Sequence, residues 1–239
     1  MDTVKIDKNA TRMIAHRGLS GIEPENTNAA FIAAGNRSYF GIETDVHRTA
    51  DGKFVVIHDD TTGRVCEEDL SVENSLFDEL RALHIRGTNG ETTRPELGIP
   101  TLKEYIATCK RYGKTAVLEL KNEFSEEDIK AICDEIDEVQ YSDGMIFISF
   151  CFENLVKLRD LRPNATVQFL TGKYTPDLPE KLKEHGFGID IYHRELNEEN
   201  VKALRDAGIA INCWTVDEKA DAERLIGLGA DFITTDILE

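Results

Sequence analysis

Short apolar segments alternate with amphipathic segments along most of the chain. Apolar runs of five or six residues, such as "MIFISF" at 145–150, predict strands that are buried on both faces. The segments between them carry apolar residues three or four positions apart, such as Val201 and Leu204, which predicts helices. The sequence "TLKE" at 101–104 has the pattern of a capping box, so we expect a helix to begin there.

The alternation predicts nine strands, one of which differs from the others. Asp51 and Gly52 form a tight hairpin signal, so the strand at 54–58 should fold back antiparallel on the strand before it. The remaining eight strands alternate with helices, which predicts a parallel sheet closed into a (βα)₈ TIM barrel. The predicted strands are 12–16, 40–46, 54–58, 115–120, 145–150, 166–170, 187–191, 209–214 and 231–235.

Residues 59–100 interrupt this alternation. They contain one short helical pattern near 75–83 and an irregular tail rich in Gly, Thr and Pro. We interpret them as an insertion after strand 2 that packs over the barrel mouth. No linker or low-complexity segment divides the chain, so residues 1–239 are predicted to form a single domain.

Three carboxylates lie near the ends of predicted barrel strands, where the chemistry of this fold takes place. Glu43 and Asp45 are two residues apart on strand 2 and therefore share a face, and Glu119 lies on the next parallel strand. Their mutual repulsion requires compensation, either by a divalent cation or by protonation of one of them. A hard divalent cation, Mg²⁺ or Ca²⁺, fits these oxygen ligands, whereas ion pairing with Arg17 and Lys121 is the structural alternative.

Two histidines flank these acids. His16 ends the first strand and His58 ends the returning hairpin strand, which suits a pair that takes and gives protons. His47 should point away from Asp45 and is expected to be structural. Gly18 is expected to permit a tight turn close to a ligand.

Two cationic residues and the single tryptophan indicate the kind of substrate that the site would bind. Arg17 and Lys121 beside a metal suit a phosphoryl group, because guanidinium forks match phosphate oxygens. The chain has no G-x-x-x-x-G-K-[ST] loop, which favours a phosphodiester over a nucleoside triphosphate. Trp214 is either part of the core or a flat wall for the organic part of the substrate, and its place at a strand end favours the wall.

Charge and composition limit the classes of binding partner and the cellular location that the sequence predicts. The formal net charge of −17 argues against nucleic acid and against an anionic membrane surface, because both require a basic footprint. Residues 1–10 are polar, and no stretch is apolar enough for a membrane helix, so we expect no membrane insertion and a cytoplasmic location. The five cysteines are expected to be reduced thiols.

Eight short motifs between residues 13 and 236 resemble, in order, those of the glycerophosphodiester phosphodiesterases. They are "AHRG", "PENT", "IETDV", "TADG", "VVIHDDT", "IPTL", "LELK" and "CWTVD". The resemblance implies a TIM barrel that uses a divalent cation to hydrolyse glycerophosphodiesters to glycerol 3-phosphate and an alcohol.

The resemblance also implies roles for individual residues. His16 and His58 correspond to the acid–base pair, and Trp214 to part of the wall on the glycerol side. The metal ligands correspond to Glu43, Asp45 and Glu119, and the phosphate contacts to Arg17 and Lys121. Glu25 and Asn26 in "PENT" correspond to residues that orient strand 1 and its helix.

Two other classes of function are compatible with such a barrel. An aldolase-type lyase would use Lys121 to form a Schiff base, and a non-catalytic barrel would only bind a phosphorylated ligand. The residues leave open the head group, the choice between Mg²⁺ and Ca²⁺, which histidine is the base, and the oligomeric state. They also leave open whether water or a neighbouring glycerol hydroxyl attacks the phosphorus.

Overall fold

Nine strands and eight α-helices alternate along residues 2–239, the part of the chain that the computed structural model describes. The strands are β1 (Arg12–Ala15), β2 (Gly41–Arg48), β3 (Phe54–Val56), β4 (Thr115–Leu120), β5 (Met145–Ser149), β6 (Thr166–Thr171), β7 (Gly188–Tyr192), β8 (Ile211–Trp214) and β9 (Phe232–Thr235). The helices are α1 (Asn28–Gly35), α2 (Phe77–Arg81), α3 (Leu102–Tyr112), α4 (Glu126–Val139), α5 (Phe152–Leu161), α6 (Leu178–His185), α7 (Glu198–Asp206) and α8 (Lys219–Leu228).

Eight of the strands form a closed parallel barrel. The sheet runs in the order β1, β9, β8, β7, β6, β5, β4, β2, and β1 also pairs with β2, which closes the ring. β3 lies outside the ring and pairs antiparallel with the end of β2, with Val46 opposite Val56. The predicted TIM barrel and its returning hairpin strand are therefore confirmed. The predicted hairpin strand was two residues too long, because β3 ends at Val56 and His58 lies beyond it.

Side-chain alternation separates two apolar layers. One side of each barrel strand faces inward, where a small cluster that includes Ile14, Val117 and Ile148 fills the barrel interior. The other side packs against the helices, as Ile42 and Leu118 do in the main core. This apolar cluster packs the barrel interior, and the acidic residues of the predicted site lie towards the carboxyl ends of the strands.

The ends of α3 show why the helices begin and end where they do. The Thr101 hydroxyl accepts a hydrogen bond from the Glu104 amide, and the Glu104 carboxylate accepts one from the Thr101 amide at 2.7 Å. This confirms the capping box. Gly113 ends the helix with φ of 62°, a left-handed conformation that glycine adopts without a Cβ clash.

The segment 59–100 packs on β3 through its own apolar cluster. The cluster contains Cys66, Leu80 and Ile85 from this segment. It also contains Val55 of β3 and Ile57, which lies just beyond β3. The predicted short helix is α2. That the chain is a single domain with this segment over the barrel mouth stays a prediction. None of the helices within residues 2–239 combines the length and the apolar character needed to cross a bilayer.

Candidate active site

A pocket opens at the carboxyl ends of the barrel strands. Six of the predicted site residues line it: His16, Arg17, Glu43, His58, Glu119 and Trp214. The other two, Asp45 and Lys121, lie against them, since the Lys121 Nζ is 3.5 Å from an Asp45 oxygen. The structure therefore brings all eight predicted residues together.

The three acids converge because of strand register. Glu43 and Asp45 face the barrel interior from β2, and Asp45 is directly opposite Glu119 of β4. One carboxylate oxygen from each lies within 4.8 Å of the others, and all three residues are buried. Two cations partly compensate them. The Lys121 Nζ is 3.0 Å from a Glu119 oxygen, and the Arg17 Nε is 3.7 Å from an Asp45 oxygen.

The electrostatics of this cluster favour an additional positive charge. Burial, followed by repulsion from Asp45 and Glu119, raises the pKa of Glu43 well above its usual range. Burial and Asp45 likewise raise the pKa of Glu119 to about 7. Burial would also raise the pKa of Asp45, but Lys121 and Arg17 outweigh it and lower that pKa. Three buried carboxylates thus have too little positive charge around them, and a hard divalent cation bound by their oxygens fits this need.

A carboxylate holds each histidine by its Nδ1 atom. The His16 Nδ1 lies 2.7 Å from an Asp236 oxygen, and the Ser20 hydroxyl donates to the same oxygen at 2.9 Å. The His58 Nδ1 lies 2.6 Å from an oxygen of Asp59. Because a carboxylate accepts at Nδ1, each ring carries its hydrogen there when neutral, and the Nε2 atom can accept a proton. Neither Nε2 has a hydrogen-bond partner within residues 2–239.

Arg17 sits in a constrained turn. Its φ is 53°, and its amide donates to a Glu43 oxygen at 2.8 Å while its Nη1 donates to Glu25 at 2.9 Å. Burial lowers the pKa of the Arg17 guanidinium, but Asp45, Glu25 and Glu43 outweigh burial and raise it. Its buried Nε has no hydrogen-bond partner within the described chain. A fixed cation that lines the pocket is suited to an anionic ligand.

The tight turn expected at Gly18 is present. Its φ is 78°, as a tight turn requires, but a Cβ placed there would lie 2.6 Å from the Cβ of Ala30 in α1. The close approach that the structure shows at Gly18 is to α1, and its closeness to a ligand stays a prediction.

The direction expected of the His47 side chain was wrong, whereas its structural role stays a prediction. Residues 43, 45 and 47 alternate onto the same face of β2, so His47 points to the side of Asp45 and is fully buried. Its Nε2 is 3.2 Å from the carbonyl oxygen of His58, and its Nδ1 is 3.4 Å from the side-chain amide of Asn122. Burial lowers the pKa of His47, which favours the neutral ring that can both donate and accept.

Two supporting residues were not predicted. Asp59 and Asp236 orient the two histidines. Asp59 could have been found from the sequence, because it directly follows His58 in an "HD" pair. Asn26 was expected to support strand 1 and its helix, and the structure shows that it donates to an Asp45 oxygen at 2.8 Å and accepts from Thr44, so it also orients an acid of the cluster.

Trp214 ends β8, on the opposite side of the barrel from the strands β2 and β4 that carry the three clustered acids. It is half-buried, and its ring contacts Phe150 and Tyr192 with centroid separations of 5.8 and 5.7 Å. Its indole N–H donates to the Asp190 carbonyl at 3.4 Å. Asp190 is a further pocket-lining acid that the sequence reasoning missed, and burial raises its pKa well above the usual range.

Comparison with known proteins places this site in a family. The sequence model of the glycerophosphoryl diester phosphodiesterase family matches residues 16–239. A glycerophosphodiester phosphodiesterase of Caldanaerobacter subterraneus is 32% identical over 236 residues, covering 95% of this chain and 94% of its own. A phosphodiesterase of Oleispira antarctica, solved with its product sn-glycerol-3-phosphate, is 29% identical with a TM-score of 0.88 and covers 94% of this chain and 92% of its own. A glycerophosphodiester phosphodiesterase of Parabacteroides distasonis is 30% identical with a TM-score of 0.80 and covers 96% of this chain and 94% of its own. The chain therefore belongs to the glycerophosphoryl diester phosphodiesterase family and is a phosphoric diester hydrolase.

Proposed function

We propose that this enzyme hydrolyses glycerophosphodiesters to sn-glycerol 3-phosphate and an alcohol, with a divalent cation held by Glu43, Asp45 and Glu119. One observation carries the proposal: a cluster of three buried carboxylates, two of which line the pocket, lies beside two carboxylate-held histidines that line the same pocket. The complex of the Oleispira antarctica relative with sn-glycerol-3-phosphate supports the choice of substrate.

The proposed roles follow from the contacts of each side chain. A bound Mg²⁺ or Ca²⁺ would neutralise charge on the phosphate oxygens and polarise the phosphorus. Arg17 and Lys121 contact the same acids and would hold the phosphate oxygens beside them. Trp214 would form the flat wall against which the glycerol lies.

His16 and His58 would divide the proton transfers between them. One accepts the proton of the attacking hydroxyl at its Nε2, and the other donates a proton from Nε2 to the oxygen of the leaving alcohol. Asp236 and Asp59 keep the Nδ1 hydrogen in place and stabilise whichever ring is positively charged. Water or a glycerol hydroxyl can serve as the nucleophile in this scheme.

The state of Lys121 argues against an aldolase-type lyase. Burial would lower its pKa, but Asp45 and Glu119 outweigh burial and raise it. An amine that stays protonated is a poor nucleophile for a Schiff base. The two histidines, each hydrogen-bonded to a carboxylate, favour a catalytic barrel over one that only binds a phosphorylated ligand.

The proposal is tested by measuring release of sn-glycerol 3-phosphate. Purified enzyme is given choline, ethanolamine, glycerol and inositol esters of glycerol 3-phosphate, with chelator and then with Mg²⁺ or Ca²⁺ added back. We expect release that stops with chelator and returns with one or both ions. Release that is unaffected by chelator contradicts the metal, and no release from any ester contradicts the substrate.

A further inference from the structure

Arg64, in the irregular segment 59–100, binds two carboxylates at once. Its Nε donates to an Asp59 oxygen at 2.5 Å. Its Nη1 and Nη2 donate to the two oxygens of Glu25 at 2.9 and 2.7 Å. All three nitrogens of the guanidinium are therefore used, in the fork geometry that arginine provides and lysine does not.

These bonds complete a continuous chain of charged side chains. Asp59 uses its other oxygen to hold the His58 Nδ1, and Glu25 uses one of its oxygens to accept from Arg17 as well as from Arg64. The order is His58, Asp59, Arg64, Glu25, Arg17. The two ends of the chain line the pocket, and Arg64 in the middle does not.

Within this series of hydrogen-bonded side chains, Arg64 alone links the His58 end to the Arg17 end. Asp59 follows the hairpin strand and Glu25 precedes α1, so these carboxylates belong to separate parts of the backbone. Two carboxylates near one another repel unless a cation lies between them. The bond to Arg64 is the main cause that lowers the pKa of Asp59 to about 2, so the carboxylate that holds His58 stays ionised.

We propose that Arg64 is a positioning residue, which fixes the His58 imidazole relative to the Arg17 guanidinium by holding Asp59 and Glu25 together. This rests on the proposed function, in which His58 moves a proton and Arg17 binds phosphate. Arg64 itself touches neither substrate nor cation. Its loss should leave Asp59 free to rotate, and the histidine should then lose its alignment with the phosphate, which is costly because reaction rates depend steeply on such alignment.

The same segment offers a matched control. Arg94 also lies within 59–100 and also bridges two acids, Glu23 at 3.0 Å and Glu96 at 2.9 Å. Neither acid contacts a predicted site residue through a hydrogen bond among residues 2–239. Truncating Arg94 therefore removes a comparable ion pair from the same segment without touching the chain that ends at His58.

The first test compares R64A, R64K and R94A by steady-state kinetics on a glycerophosphodiester that the parent hydrolyses. We expect R64A and R64K to lower kcat by roughly tenfold to a hundredfold with KM changed by less than about threefold, and R94A to behave as the parent. Added guanidinium ion at millimolar concentration should restore part of kcat in R64A, because Arg64 is partly exposed and its site is open to solvent. A merely structural role would not give that rescue.

A double-mutant cycle with Asp59 tests the route. If Arg64 acts through Asp59, the variant carrying both D59N and R64A should be about as slow as D59N alone. Fully additive losses, or an R64A enzyme whose kcat matches that of R94A, would overturn the inference. A parent enzyme that releases no glycerol 3-phosphate would instead overturn the proposed function, so the two failures are distinguishable.

Discussion

The Nδ1 atom of His16 lies 2.7 Å from an oxygen of Asp236, although 220 residues separate the two along the chain. Barrel closure makes this contact, because β1 pairs with β9 and Ala15 is directly opposite Thr235. Each of the two residues immediately follows its strand. His16, the proposed proton-transfer histidine, and the acid that holds its Nδ1 are thus brought together by the pairing of the first strand with the last.

Replacing Glu119 should weaken cation binding and activity together. In Glu119→Gln one of the three oxygen ligands loses its charge, and we expect the affinity for Mg²⁺ or Ca²⁺ to fall by at least about tenfold while the fold survives. Calorimetric titration with the metal alone measures this. Asp190→Asn is the control, since Asp190 is a buried pocket acid outside the cluster whose raised pKa already favours its neutral form. A Glu119→Gln enzyme with the metal affinity of the parent would contradict the ligand assignment.

Replacing Gly18 should destabilise the protein more than replacing another left-handed glycine. Gly18→Ala adds a strained φ, worth about 1–2 kcal/mol, and a Cβ that would lie 2.6 Å from the Ala30 Cβ. Overpacking of this kind adds about 1–3 kcal/mol. Gly113→Ala has a similar φ but no atom within 4 Å of the new Cβ, so only the strain should appear. Urea unfolding of both variants measures the difference, and equal losses would show that α1 moves aside freely.

The His58 ring should lose its proton at a lower pH than an ordinary histidine. Burial is the largest cause and lowers the pKa of His58, and Arg17 and Lys121 add to it against Asp45 and Asp59. Between the folded-state pKa and the unfolded value near 6.5, the unfolded chain binds more protons, so this group's contribution to stability is present above about pH 6.5 and is lost as the pH falls. Titration of the metal-free enzyme by NMR should place His58 below about 6.5. In the D59N variant the pKa of His58 should be lower still, because the hydrogen bond from Asp59 raises it. A pKa of His58 above the ordinary histidine value in the parent would contradict this balance.

Much of the fold could be predicted from the sequence because alternation and turn residues report it directly. The Asp51-Gly52 signal distinguished the antiparallel β3 from the eight barrel strands, and strand ends placed the eight site residues at one face. The side that His47 faces could also have been predicted. It is two residues from Asp45 on β2, and side chains two residues apart lie on the same face of a strand. The contacts of Arg64 could not be predicted, because the segment 59–100 has no periodicity that fixes a side-chain direction.

The most direct test of the account compares two leaving groups in enzymes that lack one histidine. His16→Ala and His58→Ala should each slow hydrolysis of a glycerophosphodiester by roughly a hundredfold to ten-thousandfold, the usual contribution of a positioned acid or base. Substrate affinity should change far less, because Arg17, Lys121 and the cation still bind the phosphate. His84→Ala, at an exposed position outside the pocket, is the control.

The same three variants are then assayed on the p-nitrophenyl ester of glycerol 3-phosphate, whose leaving group needs no protonation. The account predicts that this ester restores near-parent rates to one of the two histidine variants, the one that lacks the general acid, and leaves the other slow. Rescue of both variants or of neither, or a near-parent rate in an enzyme that lacks both histidines, would contradict it.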